Sequence, residues 1–456
     1  MAIHSAFWPD KEERSLIGRF YFSVGIGEIL NVIFPFRFVY LYMVMQRPEW
    51  AVIPLLVESA TILLMEIPTG VVADRWGRKL SVISGGSLYT LSLLLVPFAV
   101  TFNGAAQLWV VSLCFIVSGL GQTLVSGAEE AWVVDNLNSA NRRDLVEHYF
   151  ARIQSFASVG GVGAGLIALA ILLSVDVSRS LLDFLWYMAA FGLLASVLVA
   201  ATIPEYRPAN HVAGISEVKT FLQRTLNGFQ IILRLRPLLF LTLAIAIATF
   251  SGSIADEAFD ISMITKGLDA RALSPLGIAI DVIGIIAPLV GVVLARRYGA
   301  GSVLTWFLVI PALLICVFFF EPGLGMIVPL YLLLAFFDGV WDPVADAKLH
   351  SMIPSESRAT VGSTVNQLGG MANLGGIGMF ALLLGEHSEA MQEATPDIVQ
   401  AFSGGVSTHV EVPISWFGLP VPDLAIVAFV LAGLVAVPFL VLGKLGKVSN
   451  PGEVLP

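Results

Sequence analysis

Twelve apolar stretches, each long enough to cross a bilayer, recur along the 456-residue chain, at roughly 15–45, 50–73, 80–101, 106–134, 149–173, 182–204, 237–264, 272–295, 301–320, 325–347, 359–385 and 421–443. About 20 apolar residues in helical conformation match the ~30 Å hydrocarbon thickness. Lipid offers the backbone no hydrogen-bond partner, so a segment of this kind must satisfy its own amides as a helix. Composition agrees: 57% of residues are hydrophobic and 13% charged, against roughly 45–50% and 25% in a soluble domain. The fold class expected is an all-α polytopic membrane protein with twelve transmembrane helices. Met1–Arg14 carries Asp10, Lys11, Glu12, Glu13 and Arg14 and lacks the basic-then-apolar plan of a secretory signal. Cys114 and Cys316 lie in separate apolar runs, which reads as two small buried hydrophobes and not as a disulfide framework or a metal cluster.

Basic residues set the orientation, because short cytoplasmic loops are enriched in Lys and Arg. With the amino terminus inside, eighteen fall in cytoplasmic segments and only Arg47, Arg179, Lys266 and Arg271 in outer ones. Both termini are therefore expected in the cytoplasm of a cell in whose plasma or inner membrane the protein sits. Glu205–Arg236 divides the runs six and six. The expected organisation is a bundle over 1–205, a linker over 206–236, and a second bundle with its tail over 237–456. In the linker, Ile215, Val218, Leu222, Leu226, Phe229 and Leu233 recur at helical spacing, which suits an amphipathic helix on the inner leaflet or a helix packed on the bundle. The outer loop over 386–420 has no Lys or Arg; its His387 and His409 read as solvated side chains.

The two halves repeat. Shifted by about 221 positions, Gly70-Val-Val-Ala-Asp-Arg meets Gly291-Val-Val-Leu-Ala-Arg, with Gly299 following; Ser126-Gly-Ala-Glu-Glu-Ala meets Asp338-Gly-Val-Trp-Asp-Pro at a shift of 212. Between the second and third runs, Gly70, Asp74, Arg75, Gly77, Arg78 and Lys79 stand in the order G-x-x-x-D-R-x-G-R-K. This resembles the signature loop of the major facilitator superfamily, and the six-plus-six parallel repeat is that family's plan. The resemblance implies a monomeric secondary transporter, with its first, fourth, seventh and tenth helices lining a central cavity. It also implies a gating role for the loop, in which Asp74 caps the amino end of a helix of the opposite half. A carboxylate is favoured at a helix amino terminus. The second-half echo has Ala295 where the acid would stand. The fifth run offers Gly160-Gly-Val-Gly-Ala-Gly165 but lacks the proline of the pattern many antiporters carry there. The eleventh has a comparable tract, Gly369–Gly376, and both tracts suit close helix packing.

Ionisable residues inside a span are costly and mark functional sites by default. The first run carries Glu28 and Asn31 on one face, with Arg37 further along. The fourth carries Gln122, Ser126 and Glu130 at four-residue steps beside Glu129; the seventh carries Asp256, Glu257 and Asp260; the tenth carries Asp338, Asp342 and Asp346, again at four-residue steps. Glu58 and Asp281 are further intramembrane acids, either coupling residues or makers of helix-contact hydrogen bonds. Burial disfavours the charged form of a carboxylate, so such a group can exchange a proton for a cationic substrate. Arg37 pairs with an outer acid or snorkels to the interface. Glu129, Glu130, Asp135, Asp342 and Asp346 alternatively form structural ion pairs with Arg142, Arg143, Arg358 or Lys348. The proton- and substrate-binding candidates are Glu28, Asn31, Arg37, Glu130, Asp256, Glu257, Asp338 and Asp342.

The expected function is proton-coupled efflux of small organic, cationic or amphipathic compounds by alternating access. Its partners are substrate, protons and lipid. Uptake by proton symport, movement of a lipid-like substrate, and a non-transporting membrane receptor or scaffold are the alternatives. The chain is not read as an enzyme: it has no Gly-rich loop ending in Gly-Lys-Ser/Thr and requires no cofactor. No basic face supports nucleic-acid binding.

Overall fold

The computed structural model describes residues 11–45, 48–142, 145–175, 178–206, 227–265, 268, 270–315, 323–353 and 358–386. Helices account for nearly all of it: α1 (Lys11–Ile29), α2 (Arg37–Val44), α3 (Val52–Trp76), α4 (Arg78–Ala99), α5 (Ala105–Ser139), α6 (Leu145–Ser174), α7 (Arg179–Ala201), α8 (Arg236–Thr265), α9 (Ala270–Tyr298), α10 (Ala300–Ile315), α11 (Leu324–Met352) and α12 (Arg358–Glu386). The described residues of each of the first eleven apolar runs are mainly helical, and the run at 421–443 lies outside the described residues. Eight of the described helices or helix pairs are long and apolar enough to cross a membrane. The protein is an all-α, multi-pass membrane protein.

The first run departs from expectation. It is not one helix over 15–45 but two, with Leu30–Ile33 outside regular structure and a 3-10 turn at Phe34–Phe36. Pro35 explains the break: it has no amide hydrogen for the Asn31 carbonyl one turn back, and in a continuous helix its ring would clash with that carbonyl. Asn31 N–H turns back to the Glu28 carbonyl at 3.0 Å in place of the next helical bond.

Among the described residues, α1–α7 and the opening turns of α9 (268–281) form one compact unit, and α8, the rest of α9 and α10–α12 form a second. The first unit is centred on Ile17, Phe20 and Tyr21 of α1, Trp132 and Leu137 of α5, and Tyr149 of α6. Phe20 meets Trp132 edge-on at 5.1 Å, and Tyr21 stacks on Phe156 at 4.9 Å. Such pairs add about 0.5–1.5 kcal/mol each beyond their area. Helices α4 and α5 cross in backbone contact: a Cβ on Gly121 would stand 2.6 Å from the Gly85 carbonyl oxygen. Trp109, Leu173 and Phe191 are exposed around the unit, an apolar exterior suited to hydrocarbon.

The second unit packs Leu241 and Ala244 of α8, Leu304 of α10, Val340 and Trp341 of α11, and Val361 of α12. Trp341 Nε1 donates to the Leu304 carbonyl at 3.1 Å. Glycines of the Gly369–Gly376 tract serve this unit internally: a Cβ on Gly376 would lie 2.5 Å from the Phe250 carbonyl oxygen on α8.

Of the linker helix only 227–234 is described, so Ile215, Val218, Leu222 and Leu226 lie outside the described residues. Here the expected stripe is out of phase. Ile232 enters the core of the second unit while Leu233 is 64% exposed.

Candidate functional site

The break in the first span is where ionisable residues gather. Glu28 closes α1, half-buried, and Asn31 Nδ2 reaches its Oε2 at 3.5 Å. α1 lies against α6 and α7 at positions without side chains. A Cβ on Gly160 would stand 2.6 Å from Glu28 Cβ, and one on Gly192 2.5 Å from Leu30 Cβ. The next glycine on α6 does the same for a second acid, since a Cβ on Gly161 would lie 2.6 Å from the Asp281 carboxylate. Glu28 and Asp281 therefore flank one step of α6, near enough for the charge of Glu28 to act on Asp281. Among the described residues neither acid forms a salt bridge. Arg19, the nearest base in sequence, donates instead to the Thr202 carbonyl at 2.8 Å.

Arg37 stands at the start of α2. It forms an ion pair with Glu58 of α3 and stands 5.0 Å above the Phe115 ring of α5. The other Glu58 oxygen accepts from Ser118 Oγ and, at 2.8 Å, from Gln122 Nε2. Glu58 is 5% exposed. Its partners satisfy it as an anion where hydrocarbon would otherwise exclude one. Sequence spacing places Ser118 and Gln122 one helical turn apart on α5, and an acid inside the second run calls for such donors. That signal was legible, but the choice of Arg37 as partner needed the break.

The Gly70–Lys79 loop ends α3 and begins α4. Gly77 turns the chain with φ 109°, and Gly299 makes the same turn between α9 and α10 with φ 85°; an L-residue pays a steric cost there. Arg78 pairs with Asp135 at 2.6 Å and also donates to the Ala131 carbonyl. Asp135 therefore has Arg78 as its partner. Arg142, expected to meet acids at this end, pairs with Glu12 at 2.6 Å. Glu205, which the sequence reading left unused, accepts from the Arg78 and Lys79 amides at 2.7 and 3.3 Å. It caps α4 from another helix's exit. Lys79 Nζ donates to the Ile203 carbonyl at 2.7 Å. Gly70 and Arg75 are exposed. The side chain of Asp74 lies outside the described residues.

A second buried ion pair was not foreseen. Arg152 of α6 meets Glu13 of α1, and Tyr21 Oη donates to the other Glu13 oxygen at 2.8 Å. Glu130 and Ser126 reach the surface of α5, whereas Glu129 beside them is half-buried. On the second unit Asp256, Asp338, Asp342 and Asp346 are all exposed. Asp338 lies within electrostatic reach of Asp256 on α8 and of Asp342 on its own helix. The side chains of Glu257 and Asp260 lie outside the described residues.

Chemically, the first span offers an acid with an amide beside it, while Arg37 is already neutralised by Glu58. Such an arrangement takes up a proton or a cation more readily than an anion.

No curated protein matches the chain at the sequence level. Several solved structures share its fold. The nucleoside transporter NupG is 14% identical with a TM-score of 0.65, over 95% of this chain and all of that one. A bacterial homologue of the iron transporter ferroportin, in its inward-facing state, is 15% identical with a TM-score of 0.66, over 94% and 97%. A D-xylose–proton symporter is 15% identical with a TM-score of 0.60, over 86% and 98%. The sequence model of the Major Facilitator Superfamily matches residues 52–377. Together with the repeat, the signature loop and the helix order, that match establishes that the chain belongs to the major facilitator superfamily.

Proposed function

We propose that this transporter exchanges protons for small organic cations by alternating access, exporting the cation. One observation carries the reading: Arg37, the base beyond the break, is taken by Glu58, whereas Glu28 has Asn31 beside it and, among the described residues, no salt-bridge partner. The Glu28 carboxylate thus stands in low dielectric without a counter-ion among the described residues, where a proton or a cationic substrate can neutralise it, and the two compete. Glu28 and Asn31 take the central role. Glu130 serves the first half and Asp256, Glu257, Asp338 and Asp342 the second, while Arg37 compensates charge without touching substrate. The Gly70–Lys79 loop gates the cycle, with both termini cytoplasmic and two bundles (1–205 and 237–456) joined by the linker 206–236. The protein acts as a monomer in the cell membrane.

Proton symport is the second reading. The absence of the antiporter proline from Gly160–Gly165 favours it, and one of the fold relatives is a proton symporter. Ethidium, a lipophilic organic cation, separates the two in proteoliposomes. Antiport accumulates it when the lumen is the more acidic side; symport accumulates it when the exterior is. Dye movement equal to that of protein-free vesicles under both gradients would remove organic cations from the substrate class.

A further inference from the structure

Arg37 begins an eight-residue helix that is cut off from α1 by Leu30–Ile33. Eight residues form about two turns, too few to hold a helix without tertiary support. α2 must therefore be fixed by its surroundings, and its polar ties are specific. At one end Arg37 meets Glu58. At the other, Gln107 Nε2 donates to the Val44 carbonyl at 2.9 Å, satisfying one of the helix's terminal acceptors. Midway, Tyr40 Oη donates to Asp183 Oδ1 at 2.5 Å. Only the first tie is an ion pair sunk among three helices, with Glu58 locked from behind by Ser118 and Gln122 and Arg37 lying over Phe115. A guanidinium carrying planar, directional donors transmits its partner's position to its own backbone.

We infer that Glu58 is a positioning residue of the transport cycle: through Arg37 it sets the register of α2 against α3 and α5, so that the far half of the broken first span does not drift about the Leu30–Ile33 break. Ser118 and Gln122 complete the clamp by fixing the carboxylate. The role rests on the transport reading for its consequence but not for its detection. Glu58 touches no substrate, and its effect on transport passes through the placement of α2 relative to Glu28.

The test uses the full-length protein, with amide hydrogen exchange as the first readout and ethidium transport as the second. Glu58→Gln is expected to speed exchange of the 37–45 amides at least tenfold while leaving 11–29 unchanged, with Glu58→Asp partly restoring protection. Ethidium turnover falls about tenfold in Glu58→Gln at unchanged KM. Unchanged exchange over 37–45 in folded Glu58→Gln overturns the proposal. So does a raised KM at unchanged turnover, which would place Arg37 on the substrate. Should Glu58→Gln fail to fold, Ser118→Ala/Gln122→Ala retains the ion pair but frees the carboxylate. That variant is expected to speed 37–45 exchange about threefold, and unaltered protection overturns the clamp. If the wild type moves no ethidium, the transport reading fails while the exchange measurement still decides the clamp.

Discussion

Replacing Arg152 by Met tests how the first unit is held together. Glu13 is 2% exposed and the Arg152 side chain 7%. The substitution keeps most of the aliphatic volume but leaves the Glu13 carboxylate with Tyr21 Oη as its remaining partner in the ion-pair triad. Removing one partner of a buried pair costs about 3–5 kcal/mol, most of it the penalty of stranding the other charge. At roughly 2–4 °C per kcal/mol for a unit of about 200 residues, the melting temperature should fall by about 6–20 °C. The assay is thermal unfolding of purified protein in detergent, followed by the loss of the monodisperse peak. Removing the whole triad with Glu13→Leu/Arg152→Met/Tyr21→Phe leaves no carboxylate to strand, and stability should return to within about 3 °C of wild type. A single Arg152→Met variant melting within about 2 °C of wild type would refute the reasoning.

Two further substitutions probe other joints. Gly121→Ala places a methyl 2.6 Å from the Gly85 carbonyl and 2.7 Å from the Tyr89 amide. Neither backbone can yield, so overpacking should cost about 1–3 kcal/mol or more; Gly127→Ala, where the site is open, is the control for the same thermal assay. Glu205→Ala uncaps α4 and should cost about 1 kcal/mol, with faster amide exchange confined to Arg78–Lys79 and the 203–206 exit.

Hydropathy and repeat made the helices legible, because a span in lipid has few conformational options. Gly77 and Gly299 show why the repeat could be read: the same positive-φ turn imposes the same residue in both halves. The first span resisted, since hydropathy is blind to a break caused by one proline and a polar Asn31 within an apolar run. Arg37 shows the consequence: sequence offered it an outer acid or the interface, and its pairing with Glu58 depends on where the break sets the start of α2. Spacing singled out Gln122 on its stripe, but it could not tell that its amide serves Glu58. The linker failed in phase, with Ile232 and not Leu233 turned into the core. Glu205 and the Glu13–Arg152 pair depend on contacts between residues 127 and 139 positions apart, and no periodicity encodes such separations.

The central claim is that a cation and a proton compete for the carboxylate at the end of α1. Proton release on ethidium binding measures this directly, in weakly buffered detergent solution with a pH dye. Wild-type protein should release protons on saturation with ethidium. Glu28→Gln, which keeps the shape and removes the charge, should release markedly fewer. Equal release from both proteins would contradict the account and move the exchange site away from Glu28.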